Sequence, residues 1–132
     1  MATDNYTHKF ADNYRVAMSK TILTPAADTH NLIRIPRYAL LMDVWLLVSA
    51  VGSSKTVSLG WSGNGESAQA AGFMSYDIAD VATLGLKRAM RDTLIAFEGK
   101  YFGTAGGTVT MTVGTTQTTG NFIVFCVYSI IK

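Results

Sequence analysis

The sequence predicts an all-β protein, an antiparallel β-sandwich of jelly-roll type with an extended N-terminal arm. Three observations carry this reading. About seven or eight strand-like runs recur along the 132 residues. Turns rich in Gly, Ser and Thr separate them. Several runs are apolar on both faces, as in strands that other layers cover. An immunoglobulin-like sandwich is the second choice and a closed lipocalin-like barrel the third.

The elements follow in order. Residues 1–14 are polar and show neither a period of 2 nor one of 3.6. They carry Tyr6, His8, Phe10 and Tyr14. This composition predicts an arm that orders on a partner, with those side chains as anchors. Residues 15–132 form a single sandwich domain. In residues 15–23, Val16, Met18, Lys20 and Ile22 alternate with Arg15, Ala17, Ser19 and Thr21, which predicts a strand. Residues 24–31 hold Pro25 and Asp28 and read as a loop. Residues 32–35 are a short strand that Pro36 ends.

Residues 39–51 are the central strand. Leu40, Met42, Val44, Leu46, Val48 and Ala50 share one face. Leu41, Asp43, Trp45, Leu47, Ser49 and Val51 share the other. The even face predicts core. The odd face is too apolar for open water, so a second sheet, a loop or another subunit must cover part of it. Gly52, Ser53 and Ser54 then read as the turn of a β-hairpin, with residues 55–61 as the partner strand.

Ser62, Gly63, Asn64 and Gly65 are strong turn chemistry. The Ala-rich residues 66–73 fit two turns of helix. Residues 77–86 read as a loop with a short helix or strand. Residues 91–97 and 100–102 read as strands. In residues 107–113, Val109, Met111 and Val113 face Thr108, Thr110 and Thr112, a half-exposed strand. Residues 121–131 are apolar on both faces and predict a strand central in its sheet.

Composition bounds the function. Charged residues are 15% and the net charge is +2. No basic stripe with interleaved aromatics occurs, which argues against nucleic-acid binding. The apolar run 38–51 contains Asp43 and is too short for a membrane span. The N-terminus has no signal-peptide pattern, so synthesis in a cytoplasm is expected. Low charge together with two-faced strands predicts that an assembly hides much of the surface. The single cysteine, Cys126, sits between Phe125 and Val127 and reads as a buried small hydrophobe.

No catalytic, cofactor or metal motif is evident. Asp77 and Asp80 lack the oxygen-rich loop that calcium needs. His8 and His30 stand far apart, outside zinc-ligand spacing. Asp43 within an apolar strand predicts an arginine partner, with Arg34, Arg37 or Arg15 as candidates. Trp45, Trp61, Tyr76 and Tyr101 read as interface aromatics; a sugar-stacking platform that also includes Tyr38 is the alternative.

A family likeness adds to this. The stretch Asn31-Leu32-Ile33-Arg34-Ile35-Pro36-Arg37-Tyr38-Ala39-Leu40-Leu41-Met42-Asp43-Val44-Trp45 is followed by Val57–Trp61, Gly63-Asn64-Gly65-Glu66-Ser67 and Ala70–Phe73. It resembles small virion structural proteins of tailed bacteriophages. The resemblance implies a non-enzymatic capsid decoration, or cement, protein. Such a protein is a homo-oligomer, here expected as a trimer, bound to the major capsid protein or other virion proteins. Its location is the virion. A tail or head-fibre subunit, or a carbohydrate-binding adhesion module, is the alternative.

Overall fold

The structure, a computed structural model, describes residues 14–75, 81–89 and 97–131. Among the described residues ten strands form two antiparallel sheets. They are β1 (Arg15–Met18), β2 (Ile22–Leu23), β3 (Asp28–Ile35), β4 (Ala39–Ala50) and β5 (Val57–Gly63). Then come β6 (Glu66–Met74), β7 (Gly85–Arg88), β8 (Lys100–Phe102), β9 (Gly107–Val113) and β10 (Asn121–Ile130). The first sheet runs β1-β10-β4-β7, with β2 also on β10 and β8 also on β4. The second runs β3-β9-β5-β6. The chain crosses between sheets at β2–β3, β3–β4, β4–β5, β6–β7, β8–β9 and β9–β10. This order is the double Greek key of a jelly roll. The fold expectation therefore holds, and β10 is central as its two apolar faces predict.

The core lies between the sheets. Ile35, Leu46, Leu59, Phe73, Met111 and Phe122 are fully enclosed there. Cys126 joins them, and burial pushes its thiol up to about 11. A rise of two units from the usual 9.0 lowers the thiolate fraction about 100-fold at neutral pH. Native labelling by a thiol reagent is expected to be at least that much slower than labelling of the unfolded chain. Rapid stoichiometric labelling of the native protein would contradict this burial.

Several local expectations change. First, β4 and β5 are not a hairpin, because they lie in different sheets. The Gly52–Ser54 segment is held by a buried side chain instead of folding back. Gln117 Oε1 accepts the Ser54 N–H at 3.0 Å, and its Nε2 donates to the Ser54 carbonyl at 3.0 Å. Gly52 lies so close to this plug that a Cβ would stand 2.9 Å from Gln117 Oε1.

Second, residues 66–74 are strand and not helix. The small residues serve close approach of β5 and β6. A Cβ at Gly60 would stand 1.7 Å from the Gln69 carbonyl oxygen. Between the pairs Leu59–Met74 and Trp61–Gln69, β5 advances two residues and β6 five, a large bulge.

Third, β4 changes its buried parity. Ala39 and Leu41 are buried, and after a register shift at Met42 the buried positions are Val44, Leu46 and Val48. Leu40 and Met42 thus leave the predicted core face. Fourth, Thr110 is buried at 3% exposure, because β9 has neighbours on both sides. The predicted loop 24–31 is also shorter, since β3 begins at Asp28. The predicted strand 15–23 is split into β1 and β2. Ser19 interrupts it, donating its N–H to Val124 O and accepting the Val124 N–H. Of the predicted strand 91–97 only Phe97 is described, and it is not in a strand; residues 91–96 and 76–80 lie outside the described residues.

Candidate assembly surface

The outer face of the first sheet is the most unusual surface. Phe122, Val124 and Cys126 of β10 point into the core, so Ile123, Phe125 and Val127 point outward. Their neighbours on β4 are Leu47, Trp45 and Asp43. Beyond these, β7 supplies Leu86 and Arg88. On the other side, β1 places Met18 opposite Phe125 and Val16 opposite Val127. Apart from Asp43 and Arg88 these side chains are apolar, and the rim is open: Val16 is 64%, Met18 62% and Leu86 46% exposed. Tyr14, the last residue of the predicted arm, is 75% exposed at the same edge. A soluble monomer rarely leaves a contiguous apolar sheet face open.

One polar cluster interrupts this face. Asp43 is nearly fully buried, and its Oδ2 accepts from Arg88 Nε at 2.9 Å and Arg88 NH2 at 2.8 Å. The same oxygen accepts from the Trp45 indole N–H. Arg88 also lies over the Trp45 ring, 5.2 Å from its centroid. The expected partner type is correct, and the arginine that holds Asp43 here is Arg88. The reason is register: β4–β7 pairing sets Arg88 directly across from Trp45. The Val44 N–H donates to the other oxygen, Oδ1, at 2.9 Å. With these four donors on Asp43, the cluster fixes Trp45 in place and offers no free acid.

A second cluster sits at the β5–β6 turn. Lys100 Nζ contacts Glu66 Oε2 at 2.6 Å and lies 4.9 Å from the Trp61 ring centroid. Asn64 accepts the Gly103 N–H at 2.9 Å and donates to Glu66 at 3.2 Å. The Lys100 hydrogen bond holds the Glu66 carboxyl below its usual 4.5. The Trp61 N–H lies near enough to favour the carboxylate but has no partner at hydrogen-bonding geometry. A carboxyl lowered by its partner is stabilised above its ordinary value and loses that help as pH falls through the lowered one. The Glu66–Lys100 link should therefore open only below pH 4.5. Carboxyl titration by NMR tests this, and Lys100→Met should return Glu66 to the ordinary value.

The predicted interface aromatics separate. Trp45 is on the outer face of the first sheet. Trp61 is at the far turn, with Lys100 over its ring and Gly72 beneath, where a Cβ would stand 2.0 Å from Cζ3. Tyr101, on β8, donates its hydroxyl to Ile131 O at 3.1 Å. With both faces of Trp61 covered, the three do not form one stacking platform. Tyr76, Tyr6, His8 and Phe10 lie outside the described residues. His30 is engaged locally, with Nε2 at 2.9 Å from Ala26 O. Exposure of Val16 and Met18 was legible only as alternation; the break at Ser19, which turns Ile22 inward, has no clear sequence signal.

The fold and this surface define an all-β jelly-roll subunit with an apolar sheet face. No protein-family model and no curated protein sequence matches the chain. Solved structures do. A chain in the capsid asymmetric unit of cyanophage Pam1 is similar, with a TM-score of 0.61 and 16% identity over 99% of this chain and 94% of that one. So is a chain in the acid-stable capsid of the Helicobacter pylori bacteriophage KHP30, with a TM-score of 0.63 and 14% identity over 92% and 90%. A chain in the capsid of Ralstonia phage GP4 gives a TM-score of 0.61 and 15% identity over 98% and 92%. At these identities the likeness is one of fold.

Proposed function

We propose that this chain is a non-enzymatic virion structural protein, a decoration subunit that binds the outside of a phage head and stabilises it. The observation that carries the reading is the length-for-length fold match to chains of three phage capsids. Coverage is 90% or more in both directions, so the similar chains are small subunits and not domains of large ones. The apolar outer face of the first sheet supports assembly, because contact with a second subunit would remove it from water. Each 100 Å² of such surface buried is worth roughly 2.5 kcal/mol before association costs. A subunit that binds only the intact shell stabilises it by mass action. The homo-oligomer, a trimer in this reading, belongs to the same proposal.

The arm provides the experiment. Residues 1–14 should contribute to attachment and little to the fold. Their removal is expected to leave the melting temperature nearly unchanged. It should weaken attachment to the shell at least tenfold, equivalent to about 1.4 kcal/mol. Sedimentation of shells with the full and the shortened chain reads the effect. Unfolding of the shortened chain would make the arm an integral strand. Full occupancy under dilution would remove the arm from the attachment mechanism.

A further inference from the structure

The geometry points to a binding groove for an extended acidic polypeptide segment along β3, at the opposite sheet from the apolar face. The groove has a volume of about 770 Å³. One wall is the end of β3 and the turn after it, with Arg34, Pro36 and Arg37. The other wall is made by the two turns Gly63–Gly65 and Ala105–Gly107. Glycine is what leaves the space open. Gly63 and Gly107 face each other across the β5–β9 ladder, and Gly63, Gly65 and Gly106 all have φ between 68° and 97°. Side chains would be strained at those three positions and would fill the trough.

The charge is one-sided. Arg34 and Arg37 are both exposed and line the groove, and among the described residues no Asp or Glu lines it. Neither arginine side chain has an ion pair or hydrogen bond among the described residues. The nearest carboxylate at the turn, Glu66, is already held by Lys100 at 2.6 Å. Two unpaired guanidinium groups present planar forks that fit carboxylates bidentately.

The shape selects an extended chain. The trough runs between the end of β3 and the turns 63–65 and 105–107, on the side of β3 that pairs with β9. Two facing walls suit one extended segment lying across the strand ends, with its carboxylates toward Arg34 and Arg37. A nucleic acid fits less well, because two arginines on a chain of net charge +2 make no extended basic track.

That the acidic segment belongs to a capsid partner rests on the decoration reading. The test uses full-length protein and shells of the phage that carries it, stripped of this subunit. R34E/R37E changes only exposed, unpartnered side chains, so its melting curve should match the unaltered chain. Its affinity for shells is expected to fall about tenfold or more, and rising salt should weaken the unaltered chain far more than the variant. R34K/R37K keeps the charge and introduces amines. Carbodiimide treatment of shells decorated with it should join the substituted positions to an Asp- or Glu-bearing peptide of the partner. Equal binding by R34E/R37E overturns the groove and leaves the decoration reading standing. No binding by the unaltered chain overturns that reading, and the capsid partner with it. Binding of a 20-nucleotide DNA that R34E/R37E abolishes overturns the polypeptide assignment in favour of phosphate.

Discussion

Phe73→Ala is expected to lower the unfolding free energy by about 3–5 kcal/mol, a large part of the ~5–15 kcal/mol that holds a domain together. Phe73 has no exposed surface. It packs against Trp61 and Phe97, each with ring centroids 5.1 Å away. Truncation loses the transfer energy of a buried ring and leaves a cavity bordered by two rigid aromatics, which cannot easily collapse into it. At a few degrees per kcal/mol for a chain of this length, the melting temperature should drop by roughly 10–20 °C. Val16→Ala, at an exposed position of β1, should change stability by about 0.5 kcal/mol or less. Equal effects at the two positions would mean that the faces of the sheets are assigned wrongly. The same result would undermine β6 as a strand, since only the strand brings Phe73 between the other two rings.

Asp43→Ala is expected to cost about 2–3 kcal/mol. The change removes the acceptor for the Trp45 indole N–H, for the Val44 backbone N–H and for both Arg88 contacts. The cost stays below that of a fully buried pair because the Arg88 side chain is 34% exposed and water can reach it. Arg88→Ala should cost less, and the double variant should cost less than the sum of the two by about 1 kcal/mol. Strict additivity in denaturant melts would show that the pair is not coupled. Asp43→Ala also frees the Trp45 ring, which should alter its fluorescence before the protein unfolds.

The sheet architecture was readable because it rests on side-chain alternation. The two-faced apolar run 121–131 placed β10 in the middle of its sheet, and Cys126 in the core. Readings that failed did so where a non-local contact decided the outcome. The Ala-rich residues 66–73 have helical composition, yet Gly72 must lie under Trp61 and Gly60 against the Gln69 carbonyl. Small size was the signal, and helix propensity is weaker than that packing. Gly52–Ser54 has hairpin chemistry, but Gln117, more than sixty residues later, captures Ser54 from both sides. The parity of β4 was misread below Val44 because one extra residue at Met42 reverses the faces. Arg88 could not be picked out as the partner of Asp43, since its position depends on β4–β7 register. The assembly surface was visible only as an imbalance, too many apolar positions for one core, and the exposed Val16 and Met18 show where part of the excess lies.

The central claim is that this chain stabilises a phage shell by binding it. The most direct measurement is the melting temperature of shells lacking the subunit as purified full-length protein is added. Binding to the intact shell alone predicts a rise that follows the logarithm of free subunit concentration once sites are filled, with bound copies reaching a fixed number per shell. Shells that melt at the same temperature with and without saturating protein would contradict it.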